Sequence, residues 1–340
     1  MLSPLEIVIA LVVIVVAAEV FTNAVEHLGE RLGIAEGTTG SLFAAVATAL
    51  PETSVPLIAL FAGTADQRVN EEIGVGAILG APIMLATIAM FLLSAFSLGA
   101  RGGRARFAPE RSGFSRDLNV FLGAFVVATI AMFVPVGWSG VRAAFSLTLV
   151  MTYFFYVLYT LRASAMLVDN GHGTEAHKAM FLNRLGLPDN FAVVGLQLLL
   201  GLGFLVGGAK MFVHQVEGLA HALGVSALLL SLIIVPVATE LPEKVNSILW
   251  IRRRRDTLAF GNITGAMVFQ GTLLPAVGIM LTPWSPRPEV LVGAVVTLAA
   301  AAWLRWRIAR GGIRLPDTFL NGLLYAAYIL TMVFGVSGVE

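Results

Sequence analysis

The sequence predicts an all-α polytopic membrane protein, about ten transmembrane helices arranged as two inverted five-helix repeats. Three observations predict it. The 340 residues are 57% hydrophobic and 13% charged, against about 45–50% and a quarter in soluble domains, and mean hydropathy is +0.86. Apolar windows of bilayer length recur along the whole chain. One short motif, which sets a proline and a glutamate inside an apolar run, occurs once in each half. Backbone groups in lipid must be satisfied internally, so this composition reads as a helical bundle. The formal net charge of +1 implies no acidic partner, and no stretch resembles a nucleic-acid-binding arm. The lack of cysteine excludes disulfide frameworks, thiolate nucleophiles and soft-metal thiolate sites.

Windows of about 20 apolar residues fall near 5–25, 40–62, 73–98, 118–137, 141–161, 190–213, 226–250, 257–281, 288–306 and 317–337. The first lacks a basic leader and leads directly into the repeated unit, so it reads as a retained helix, not a signal peptide. The second, SLFAAVATALPETSVPLIALFAG, carries Glu52 near its centre, where a charge costs about 2.5–3.5 kcal/mol on the lenient insertion scale. The third follows a loop holding Asp66, Glu71 and Glu72. An arginine-rich connection, 99–117, precedes the fourth and fifth. The sixth carries Gly195, Gly201, Gly203, Gly207 and Gly208, a low-relief surface that ordinary close helix packing also produces. The seventh contains Glu243, and Arg252 to Arg255 separate it from the eighth as a topology anchor that can touch anionic lipid. Residues 1–161 form the first repeat, 162–188 a cytoplasmic connecting loop and 189–340 the second repeat.

Charge orients the chain. Alternate loops collect 17 of the 22 Lys and Arg, while the opposite loops carry only Arg68, Arg142 and Arg287. By the positive-inside rule the first set is cytoplasmic, both termini face out, and the Asp66 loop is outside. The expected location is the plasma or inner membrane of a prokaryote.

Glu52 and Glu243 lie 191 residues apart, and sliding the chain on itself by that offset pairs VEHLGERLGI with VEGLAHALGV and VATALPE with VATELPE. Each half has five spans, an odd number, so the second half inserts upside down. Inverted repeats with interrupted helices at the midplane are the pattern of secondary transporters. A proline within a helix releases the carbonyl four residues earlier, here Ala47 before Pro51 and Ala238 before Pro242. Those carbonyls, the Thr48 and Thr239 hydroxyls and the two glutamates make an all-oxygen set suited to Ca²⁺, Mg²⁺, Mn²⁺ or Na⁺. Two carboxylates neutralise one divalent ion, or hold protons or monovalent ions when it leaves.

These residues resemble the cation/Ca²⁺ exchanger superfamily, especially its sodium/calcium exchanger branch. Its two alpha repeats carry small–Thr–Ser–Leu–Pro–Glu followed by Gly-Asn-x-x-Gly-Ser-Asn. This chain shows ATALPE then GAILGAP (motif around 47–85), and ATELPE then GNITGAM (around 238–270). The resemblance implies antiport of Ca²⁺ for Na⁺ or H⁺ at a central site on the second, third, seventh and eighth helices. Glu52 and Glu243 are its main ligands, helped by Thr48 and Thr239. It also implies that the first and sixth helices slide against the rest. The motif serines are replaced by Ala49, Glu240, Ala81 and Ala266, and an acidic or amide position becomes Leu85 and Gln270; Asn262 is kept where the first half has Ala77. Several sodium-coordinating side chains of the family are therefore missing, which shifts the expected coupling toward protons or fewer sodium ions.

Glu240, one turn before Glu243, is either a further site carboxylate or an intrahelical partner of Lys244 at i+4. Lys244 either substitutes for a bound monovalent cation or pairs and snorkels. Glu26 and Glu217 are vestibule carboxylates or solvated helix ends. Glu19 and Lys210, also 191 apart, read as structural and buried or snorkelled before any gate role. His172, Glu175 and His177 read as a polar loop before a regulatory metal site. The expected function is a divalent-cation antiporter, with Ca²⁺ first among its cargoes and Mg²⁺ or Mn²⁺ with proton coupling as the alternative. An intramembrane enzyme ranks below it, since no HExxH, GxSxG or phosphate-binding glycine loop is present. A passive channel does too, because inverted repeats suit alternating access. No cofactor is expected; the partners are the transported cation and the bilayer.

Overall fold

The structure, a computed structural model, describes residues 4–32, 50–102, 106–169, 179–224, 226–252 and 254–335. Its main helices are α1 (Pro4–Arg31), α2 (Leu50–Ala62), α3 (Gln67–Ala95), α4 (Arg111–Ala131), α5 (Ser139–Asp169), α6 (Phe191–Leu223), α7 (Ala227–Arg252), α8 (Asp256–Leu281), α9 (Pro288–Ala309) and α10 (Leu315–Gly335). Each overlaps one expected apolar window. Among the described residues, six helices are long and apolar enough to cross a membrane: α3, α4, α5, α6, α8 and α9. The chain is a multi-pass membrane protein. Its surface fits that solvent: Leu147, Phe155 and Tyr159 of α5, Leu199 of α6, Val295 of α9 and Leu323 of α10 are exposed large apolar side chains. Polar Glu240, Asn262, Thr264 and Gln270 are buried instead.

Local chemistry sets several helix starts. Asp66 accepts from the backbone N–H of Arg68 and Val69 and opens α3. Glu110 does the same for Ser112 and Gly113 at α4, and Pro288 occupies the first turn of α9, where its missing N–H costs nothing. Pro82 lies inside α3, and just beyond it the helix widens to a π turn over Leu85–Ala89. A proline leaves a carbonyl without its donor, and a π turn is one way a helix absorbs such a fault.

One short strand pair accompanies the helices. Two short strands, β1 (Arg106–Phe107) and β2 (Ile313–Arg314), pair antiparallel, with Phe107 opposite Ile313. Both of those apolar residues are buried, so the pairing seats them on the core while satisfying loop backbone.

The larger hydrophobic core joins α3, α4, α5, α7, α8, α9 and α10, and a second joins α1, α2 and α6 with other faces of α3 and α7. α1 lies along α6, and α3 lies along α7. α8 packs on α4 and α5, as α3 packs on α9 and α10; α4 touches α5, as α9 touches α10. Contacts between connections fall into two groups. Arg31 reaches Asp189, Arg101 reaches Asp256 and β1 pairs with β2. Separately, Glu72 accepts from Arg287 and from Leu228 N, and Arg142 donates to Pro283 O.

Candidate cation site

The centre of the bundle is α3, held close between α7 and α8. Gly76 and Gly80, four residues apart, make the approach of α7 possible. A Cβ on Gly76 would meet Ser231 Cβ at 2.5 Å and Leu228 O at 2.8 Å; on Gly80 it would meet Leu232 O at 2.5 Å and Pro236 Cγ at 2.6 Å. Small residues at helix spacing let backbones come together in lipid, where no hydrophobic force drives helices to associate. The GAILGAP stretch thus has a packing role that its altered motif concealed.

On the other side, α7 and α8 share a buried polar seam. Gln270 Nε2 donates to Glu240 Oε1 at 3.1 Å, and Asn262 Nδ2 donates to Ser247 Oγ at 3.1 Å. Glu240 and Gln270 are both fully buried. Gln270 Oε1 has no hydrogen-bond partner among the described residues. The two contacts run in opposite chain directions, from 240 to 247 and from 270 to 262, as antiparallel neighbours require. At 1.5 Å per residue they lie roughly 10–12 Å apart along the helices. A carboxylate and an amide buried together at membrane depth offer oxygen ligands or a proton site. The structure therefore brings together two of the sequence-selected residues, Glu240 and Gln270, and turns Glu240 toward α8, while Asn262 meets Ser247 further along the same two helices.

The remaining candidates are placed more coarsely. Glu52 lies in the first turn of α2 as described, and Ala238, Thr239 and Glu243 lie within α7, which continues as helix through Pro242; their side chains, and that of Lys244, are outside the described residues. Ala47 and Thr48 are outside them altogether, as are His172, Glu175 and His177. Among the described residues no three His, Asp or Glu side chains converge to hold a metal. Glu19 and Lys210 are both exposed, so the buried reading of that pair is corrected. Of the five glycines noted in α6, Gly201 and Gly208 face α1, against Phe21 and Ile14; a Cβ on Gly195, Gly203 or Gly207 would meet nothing within 4 Å.

Sequence reasoning missed the polar anchors that hold α3 and α8. Arg101, just beyond α3, donates to both oxygens of Asp256 at the start of α8, at 2.5 and 3.1 Å, and Ala108 N adds a third bond at 2.8 Å. Arg287, beyond α8, donates to Glu72 at the start of α3 at 3.0 Å. These two pairs occupy matching places in the halves: Arg101 and Arg287 are 186 residues apart, and Glu72 and Asp256 are 184 apart. The second motif recurs at an offset of 185, from Gly76 to Gly261, so that offset was the available signal. Deeper in, Asp117 of α4 accepts from Thr264 of α8 at 2.8 Å and from Tyr156 of α5 at 3.1 Å, with Arg116 beside it. Arg142 donates to the carbonyls of Ile279, Thr282 and Pro283 and so caps the C-terminal end of α8, where a cation is favourable.

Comparison with known proteins adds four findings. A family profile described as "Sodium/calcium exchanger protein" matches residues 2–162 and 193–334. The chain is 24% identical over 310 residues to inner membrane protein YrbG of Escherichia coli (strain K12), covering 88% of each chain. Its fold is similar to that of the H⁺/Ca²⁺ exchanger CAX, with TM-score 0.76, 16% identity and coverage of 97% of this chain and 81% of that one. It is also similar to that of the sodium-calcium exchanger NCX_Mj, with TM-score 0.61, 17% identity and 98% coverage of both.

Proposed function

Because the chain belongs to the sodium/calcium exchanger protein family, we propose that it is a secondary-active antiporter, not an enzyme, which moves a divalent cation, Ca²⁺ first, in exchange for Na⁺ or H⁺. The observation that carries this reading is Glu240: a carboxylate fully buried between two helices, 3.1 Å from Gln270 and one turn before Glu243. Ionisable groups at membrane depth mark ion pathways. Glu52 and Glu243 are the charged ligands, with oxygens of Ala47, Thr48, Ala238 and Thr239 around them; Glu240, Gln270 and Asn262 line the same seam.

Ten spans in two inverted halves are supported by the recurring helix contacts of the two halves. The pair α1–α6 packs together through Gly201 and Gly208, which supports its movement as one body during alternating access. Glu240 favours coupling to protons, or to fewer sodium ions than a full set of family sites would bind, since it adds a titratable group where the family has serine. The same feature favours the second reading, proton-coupled transport of Mg²⁺ or Mn²⁺. The protein sits in a prokaryotic inner membrane with both termini outside.

Divalent uptake into proteoliposomes, measured under imposed Na⁺ or H⁺ gradients with the membrane potential clamped, tests this. Glu52→Gln and Glu243→Gln are each expected to reduce uptake roughly a hundredfold or more, the loss of a charged ligand being about 3 kcal/mol, while insertion is unchanged. Near-normal flux in both variants would sink the reading, and strongly cooperative sodium dependence with no proton response would remove its coupling arm.

A further inference from the structure

The arginine-rich end of the bundle holds a cavity of about 250 Å³ lined by Arg101, Arg106, Arg254 and Asp256. Its charges do not cancel. Asp256 is already engaged through both oxygens by Arg101 and Ala108 N, so it has little left to offer the other two arginines. Arg106 and Arg254 are exposed, and neither has an ion pair with another described residue.

Two further features of this pocket favour a nearby anion. Arg106 stands directly opposite Arg314 in the β1–β2 ladder, and like charges directly opposite across strands repel. Arg101 is more than nine-tenths buried, yet its Nε–H has no acceptor among the described residues. Solvated basic residues placed only to orient a membrane protein need neither of these arrangements.

We propose that this pocket binds a phosphate-bearing anion, with the Arg106 and Arg254 guanidinium groups as its forks and Arg101, anchored by Asp256, as its floor. Guanidinium matches phosphate oxygens in bidentate geometry, and the pocket opens between the ends of membrane helices, where an anionic lipid headgroup or a soluble phosphate can reach it. The inference does not depend on which cation the protein carries.

Native mass spectrometry of the full chain, purified in mild detergent with phosphatidylglycerol or phosphatidylcholine, provides the test. Wild type is expected to retain phosphatidylglycerol in preference to phosphatidylcholine. In the double variant Arg106→Gln/Arg254→Gln that retention should fall roughly tenfold or more. The charge-matched variant Arg162→Gln/Arg184→Gln, altered in exposed arginines of α5 and of the stretch before α6, should keep it. All four positions are exposed, so folding is preserved, and unchanged divalent uptake confirms it. Competition by inorganic phosphate would show that free phosphate shares the pocket; a pocket-selective loss without competition would assign it to the lipid headgroup. Equal loss in both double variants, or loss in neither, would overturn the site.

Discussion

At the scale of single residues, three side chains carry distinct predictions. Glu240 joins α7 to α8 through Gln270, so Glu240→Gln should preserve the contact while removing the charge. The expected outcome is an intact protein whose uptake loses its response to a proton gradient, by roughly tenfold, worth about 1.4 kcal/mol; an unchanged pH profile of flux would remove Glu240 from coupling. Arg142, only 5% exposed, binds the last carbonyls of α8, and Arg142→Ala should destabilise the fold by roughly 1.5–3 kcal/mol, the range for hydrogen bonds to a charged group. Thermal unfolding in detergent reads this directly. Glu110 holds the start of α4: partial burial raises its pKa, but the N–H groups of Gly113 and Ser112, with Arg116, outweigh it and keep the carboxyl below the usual range. A lowered folded-state pKa gives stability that is present above the unfolded value and lost as pH falls through the folded one. Glu110→Gln should therefore flatten the acid limb of the stability curve, and an unaltered limb would contradict the capping role.

Between helices, steric fit and charge act at different places. Gly80 admits α7 to within contact of α3, and Gly80→Ala should cost about 1–3 kcal/mol by overpacking, because the obstructing atoms include backbone, Leu232 O, which cannot rotate away. Unchanged thermal stability of Gly80→Ala would show that the two helices separate freely. The paired ends of α3 and α8 are expected to respond more strongly. Arg101→Ala leaves the Asp256 carboxylate buried with only Ala108 N, and breaking such a buried pair costs about 3–5 kcal/mol. Glu72–Arg287 is more open, with Arg287 38% exposed, so its loss should be milder. Helix existence was legible in the apolar windows, and the central glycines stood in the quoted motif. Their packing role was hidden because the motif itself concerns ligands, whereas the partner of Gly76 and Gly80 lies more than 150 residues away.

Over the whole molecule, the two groups of connection contacts bear on topology. Arg31–Asp189, Arg101–Asp256 and the β1–β2 pair join connections that follow odd-numbered helices, while Glu72–Arg287, Glu72–Leu228 and Arg142–Pro283 join those that follow even-numbered ones. A chain that crosses the membrane at every helix produces that segregation. Because the chain has no cysteine, Asp66→Cys and Arg254→Cys can be labelled one at a time with an impermeant thiol reagent in intact cells. Labelling is expected at position 66 alone. A reversed result would overturn the orientation, and equal labelling of both would overturn the alternation.

The membrane class, the apolar windows, the repeated motif and the family are legible in the linear sequence, because each is written in local composition or in motifs that recur at a fixed offset. The sequence also selected Glu240, Gln270 and Asn262, since polar residues stand out within apolar helices. The contact of Glu240 with Gln270 emerges only once α7 and α8 are packed together. Which way a polar side chain of α7 points depends on helix rotation fixed by neighbouring helices, and the linear sequence does not contain that rotation. The same holds for Arg101 with Asp256 and Arg142 with the end of α8. Charges distant in sequence meet because helices of fixed length, packed antiparallel, bring their ends to the same level, and a linear pattern does not contain that distance.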